Sequence, residues 1–176
     1  QLLTPFVAAT ALTMVALVAL HGATFLGLRL PADRAPRWST LAARLTPVAL
    51  TAVGVAAVMG LLSDRVRANG SAAVLVLLVA LVAAVMTAGR LAPRRPGWAF
   101  VASVAAATLP VFVMAAGRWP DVLVGGVTVA GAAAAPGTLR LLTWVAVPAL
   151  PVLIGFQAMC WWVFRGRIDG RAPVYW

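Results

Sequence analysis

Five apolar segments leave this chain little choice of environment: Pro5–Leu28, Leu45–Leu62, Ala72–Ala88, Trp98–Ala116 and Leu141–Phe164. A helix rises about 1.5 Å per residue, so roughly 20 residues cross a hydrocarbon core of about 30 Å. The second and third segments are the shortest, and their ends are the least sharply marked. All are rich in Ala, Val and Leu with small residues interspersed, such as Gly54 and Gly60 in the second. Small residues let helices approach closely in lipid, where no hydrophobic drive acts between them. The sequence therefore predicts an all-α integral membrane protein, a bundle of about five transmembrane helices forming a single membrane region over residues 1–176.

Composition agrees and excludes soluble classes. Hydrophobic residues make up 63% of the chain and the mean hydropathy is +1.00, values outside the range of soluble domains. A net charge of +10 would suit nucleic acid if it were gathered on one face, but the 14 arginines punctuate the apolar runs instead. Counted by side, Arg29, Arg34, Arg37, Arg44, Arg90, Arg94, Arg95, Arg165, Arg167 and Arg171 fall together, against only Arg65, Arg67, Arg118 and Arg140 opposite. The positive-inside rule then puts the start of the chain outside and the C-terminus in the cytoplasm. The first residue is Gln1, with no basic stretch before the first apolar run, which points to a processed chain or part of a longer one.

The last segment has both ends marked. Arg140 and Trp144 stand near one boundary, and Trp161, Trp162, Arg165 and Arg167 near the other, where amphipathic rings and cations settle between tails and headgroups. Pro148 and Pro151 lie inside it, and Pro110 inside the fourth segment; interior prolines bend helices, and bundles tolerate them where neighbours satisfy the freed carbonyls. Two links, PADRAPR and APRRPG, carry combinations that stop helices. The connection from Arg118 to Thr138 is apolar, with enough Gly and Pro to prevent a sixth helix. A solvated loop is rarely so hydrophobic, which suggests a covering subunit.

Residues able to carry chemistry are few. His21 is the only histidine, and a bis-histidine haem site needs a second imidazole. A hydrogen bond to a neighbouring helix or a lipid headgroup is its first reading, and a ligand role the second. Asp33, Asp64, Asp121 and Asp169 all lie in links or tails, where carboxylates cap helices or pair with arginines. With no acid in any span, ion-coupled transport by this chain alone is disfavoured. Gln157, the one amide at depth, suits an interhelical hydrogen bond before a quinone contact. Cys160 is read as a packing residue. His21, Gln157, Trp144 and Arg140 are the structural or path-lining candidates; no residue is assigned a catalytic, cofactor-binding or metal-binding role.

A family resemblance gathers several of these residues. Thr138, Leu139, Arg140, Thr143, Trp144, Val145 and Ala146, then Pro151, Gln157 and Ala158, and finally Trp162, Val163, Phe164, Arg165 and Arg167 resemble the last helix of subunit II of the cytochrome bd quinol oxidases. Leu3-Thr4-Pro5-Phe6 with Leu20-His21-Gly22-Ala23 and Phe25-Leu26, Gly97-Trp98-Ala99-Phe100, and Val127-Thr128-Val129 are similar to further stretches of that subunit. The resemblance covers nearly the whole chain but only the C-terminal half of the family's subunit. The family's four N-terminal helices, with a glycine-rich Phe-Asp-Phe-Gly type motif, lie outside it.

The resemblance implies half of a subunit that pairs pseudo-symmetrically with a haem-bearing subunit I as a heterodimer. Subunit I would carry two b-type haems and haem d, and the complex would oxidise quinol and reduce dioxygen to water with protons from the cytoplasm. This chain would then be a non-catalytic scaffold in a bacterial cytoplasmic membrane, binding no cofactor by itself. A structural quinone and a small accessory subunit are the further cofactor and partner it implies. From a different class, a transporter or channel component would also suit five spans with internal prolines, but it usually shows more polar groups at mid-membrane than His21 and Gln157.

Overall fold

The computed structural model describes residues 4–62, 71–123, 126–164 and 166. Five helices are long and apolar enough to cross a membrane. They are α1 (Pro5–Arg29), α2 (Ala35–Leu61), α3 (Ser71–Leu91), α4 (Pro96–Arg118) and α5 (Pro136–Val163), with a short hairpin, β1 (Asp121–Leu123) and β2 (Val127–Thr128), before the last. The protein is thus a multi-pass, all-α membrane protein carrying one small strand pair.

Helix starts follow the chemistry of their first turns. Thr4 Oγ1 accepts from the Val7 amide at 3.3 Å, and Pro5 occupies a first-turn position where its missing N–H costs nothing. Pro36 does the same for α2. This corrects the reading of PADRAPR as link throughout: the helix already begins at Ala35, ahead of the apolar run at Leu45. Those added turns hold Arg37 and Arg44, polar enough to lie outside the hydrocarbon yet fully compatible with helix. Pro47 lies inside α2, Pro110 inside α4, and Pro148 and Pro151 inside α5, each helix continuing through its proline.

The chain divides into two compact units, one built from α1–α4 and one from the hairpin with α5. In the first, α1 packs most extensively on α2 and α3 on α4, while α1 also meets α4 and α2 meets α3. Short links make each pair antiparallel, so the turn after α1 and the turn after α3 share one end. Arg29, Arg34, Arg37, Arg90, Arg94 and Arg95 cluster at or beside those two turns.

The buried seam of this unit recurs every seven residues. Thr13, Leu20 and Gly27 lie on it in α1, Ala35, Ala42 and Ala49 in α2, Val74, Leu81 and Ala88 in α3, and Ala99 and Ala106 in α4. A seven-residue repeat keeps one stripe facing the partner helices of a left-handed bundle. Because most of these residues are small, backbones come close: a Cβ on Gly27 would stand 3.0 Å from Ser39 Oγ. Large apolar side chains such as Leu12, Val15, Val76, Val79 and Val111 point outward, as suits a lipid-facing surface.

In the second unit the strands pair antiparallel, Asp121 with Thr128 and Leu123 with Val127, and the register is irregular between them. Gly126 takes φ +84° at the turn, a conformation glycine adopts freely. Thr128 Oγ1 accepts from the Gly131 amide at 3.1 Å and the Val129 amide donates to Pro120 O at 2.9 Å, closing the segment on itself.

Candidate functional site: a hydroxyl–imidazole cluster between α1 and α4

Hydroxyls in a membrane helix usually satisfy themselves on the preceding turn. Thr10, Thr46, Thr108 and Thr143 each donate to the carbonyl four residues back. Among the described residues, two places depart from this and reach across helices. Thr13 Oγ1 lies 2.8 Å from Ala9 O and 2.9 Å from Ala52 O on α2. The richer case joins α1 to α4 and contains the only histidine.

α1 presents His21, Thr24 and Phe25 at spacings of three and four, on one face, and α4 answers with Phe100 and Ser103 one turn apart. His21 Nδ1 lies 2.9 Å from Ser103 Oγ, and Thr24 Oγ1 2.8 Å from the same oxygen. Thr24 Oγ1 donates to His21 O at 2.8 Å, and Ser103 Oγ is 2.7 Å from Phe100 O. The imidazole leans on the Phe100 ring, centroids 5.0 Å apart and planes 30° tilted, and Phe25 meets the same ring at 5.8 Å. The Arg29 guanidinium carbon lies 5.9 Å from the Phe25 centroid, within cation–π range. Ser103 and Thr24 are buried, while the imidazole is only partly covered. Ser103 follows Ala99 on the small-residue seam, and that is what brings α1 near enough for these bonds. Among the described residues no buried side-chain polar atom lacks a partner.

His21 belongs to the first unit, whereas Arg140, Trp144 and Gln157 all lie on α5 in the second. Arg140 and Trp144, four apart, share a helix face; Gln157 lies thirteen residues beyond Trp144, which at about 100° per residue carries it to the far side. All three side chains are exposed. Gln157 makes no side-chain hydrogen bond among the described residues of its unit. Among the acids, Asp33 lies 3.8 Å from Arg34 with both side chains largely exposed, a geometry worth little in water. Asp64 and Asp169 lie outside the described residues. Among these residues no three His, Cys, Asp or Glu side chains gather as a metal would require. The cluster's donors do not suit haem either, since one imidazole stands among hydroxyls and phenyl rings.

Sequence reasoning missed Thr24, Phe100 and Ser103. The available signal was Ser103 itself, the one serine within the fourth apolar run, together with a lone histidine needing a polar neighbour.

Comparison with known proteins gives two findings. A sequence model of the family described as cytochrome bd terminal oxidase subunit II matches residues 1–164. Cytochrome bd ubiquinol oxidase subunit 2 of Bacillus subtilis (strain 168) is 26% identical over 161 residues, covering 88% of this chain and 48% of that protein. The chain therefore spans about half the length of this curated relative.

Proposed function

The chain belongs to the cytochrome bd terminal oxidase subunit II family, and from that premise we propose that it serves as a non-haem membrane subunit of a bd-type terminal oxidase. In this reading its whole length is a membrane region that covers and braces a haem-bearing subunit I. The complex oxidises quinol and reduces dioxygen to water; two b-type haems and haem d reside in the partner, and a small accessory subunit and a structural quinone complete the assembly. The membrane is the bacterial cytoplasmic membrane, with the arginine-rich turns after α1 and α3, and the C-terminus, on the cytoplasmic side.

The observation that carries this reading is the family match, whose range, residues 1–164, includes all five apolar helices. The chain's own side chains support the scaffolding part. Its best-built polar cluster spends its hydrogen bonds joining α1 to α4, and Arg140, Trp144 and Gln157 occupy an exposed helix suited to anchoring and to contact with a partner. His21, Gln157, Trp144 and Arg140 thus have structural roles in this proposal.

Affinity purification through a tag on this chain, followed by an optical spectrum, tests the proposal. Absorption of haem b and haem d in the eluate, with quinol-dependent oxygen consumption, is the expected result. A complex lacking both haems would overturn the oxidase assignment. Haem binding and quinol turnover by the chain purified without a partner would overturn its scaffolding role.

A further inference from the structure

The contacts around His21 need more protons than two hydroxyls can supply, and the shortfall selects the imidazole tautomer. Four polar contacts meet in the cluster: His21 Nδ1 with Ser103 Oγ, Ser103 Oγ with Thr24 Oγ1, Thr24 Oγ1 with His21 O, and Ser103 Oγ with Phe100 O, all between 2.7 and 2.9 Å. Thr24 and Ser103 bring one hydroxyl proton each. With Nδ1 bare, those two protons serve two of the four contacts. The others would press lone pair against lone pair at hydrogen-bond distance. A proton on Nδ1 serves a third contact and leaves only one unserved. A doubly protonated ring would do as well, but α1–α4 contain no acidic residue to balance it, and an uncompensated cation is disfavoured at this depth. Eight residues separate His21 from Arg29 at the helix end, about 12 Å along the axis.

We infer that His21 is held as the neutral Nδ1–H tautomer, donating to Ser103 Oγ, so that its Nε2 is an acceptor site for one O–H or N–H donor from beyond these four helices. Among the described residues Nε2 has no hydrogen-bond partner, and the ring is only partly covered. An acceptor cannot remain unsatisfied in hydrocarbon without penalty. Ser103, through its bond to Nδ1, is the positioning residue. The donor is a water molecule or a fixed side chain from outside the four-helix unit; either presents the same chemistry to Nε2.

Nitrogen NMR of the complex, purified through a tag on this chain and carrying ring-15N histidine, tests the inference. The His21 signals are identified by their loss in His21→Gln. The expected spectrum has Nδ1 coupled to its own proton, and Nε2 proton-free but shifted upfield from a bare pyridine-type nitrogen by a hydrogen bond. Ser103→Thr keeps that pattern, whereas Ser103→Ala brings in a population protonated on Nε2. A cross-peak from water to Nε2 identifies water as the donor; a shifted Nε2 without one identifies a fixed side chain. A proton on Nε2 in the parent, or an unshifted bare Nε2, overturns the inference. The parent spectrum decides even if Ser103→Ala fails to accumulate. It decides as well if the preparation contains no haem, so this inference and the oxidase reading fail separately.

Discussion

At Gly89 a single methyl group decides whether α2 and α3 can meet. A Cβ there would overlap Thr46 Oγ1 and stand 2.8 Å from the Thr46 Cβ and 2.9 Å from its Cγ2. Overpacking of this kind costs about 1–3 kcal/mol, so Gly89→Ala is expected to lower the unfolding midpoint in detergent. Adding Thr46→Ala should restore only part of the loss, because the 2.8 Å approach to Cβ remains; full restoration would show that the contact is side-chain deep only. Thr13 offers a gentler case. Thr13→Val keeps the shape but removes the bond to Ala52 O, and interhelical hydrogen bonds in membranes average about 0.6 kcal/mol. A loss of that order that Thr13→Ser does not reproduce is the expected outcome of the same measurement. Neither pair could be found in the sequence. Thr46 and Gly89 stand on different helices, and Thr13 and Ala52 are 39 positions apart. Periodicity reports which face a residue occupies on its own helix, not which residue it meets.

Elements were more legible than contacts because apolar length survives any arrangement of neighbours. Each of the five apolar runs is a helix, while the start of α2 was misplaced because Arg37 and Arg44 look like link when hydropathy is the only signal. The hairpin was missed for a related reason. DVLVGGVTV lacks the alternation that marks a half-buried strand; among the described residues of the turn, Gly126 takes a positive φ. The heptad of small residues was present in the sequence as Ala35, Ala42 and Ala49, but Ala is so common here that the repeat does not stand out. The structure gives the repeat a testable meaning. Ala99, fully buried on the seam, should not tolerate Leu: Ala99→Leu is expected to destabilise by about 1–3 kcal/mol and weaken the α1–α4 contact. Val101→Leu, two residues on and exposed, should change stability by less than about 0.5 kcal/mol. Equal losses at both positions, read by detergent unfolding, would remove the seam's special status.

For the whole molecule, the placing of arginine is expected to set how the chain lies in its membrane. Antiparallel pairing of α1 with α2 and of α3 with α4 brings Arg29, Arg34, Arg37, Arg90, Arg94 and Arg95 to one end of the four-helix unit, while Arg118 ends α4 at the other. Local charge and global topology therefore support each other, since a fold that crossed α3 in the opposite sense would split this group between the two sides. Only short, near-membrane Lys and Arg count in setting orientation, and this chain has no lysine to blur the count. A green fluorescent reporter inserted between Ala92 and Pro93 should fluoresce in the cytoplasm, and an alkaline phosphatase reporter placed between Ala132 and Ala133 should be active outside. Replacing Arg90, Arg94 and Arg95 together by Gln should lower both signals by letting a fraction of chains insert inverted. If the first site reports from outside in the parent chain, the arginine argument fails at this scale, and the cytoplasmic C-terminus proposed for the subunit falls with it.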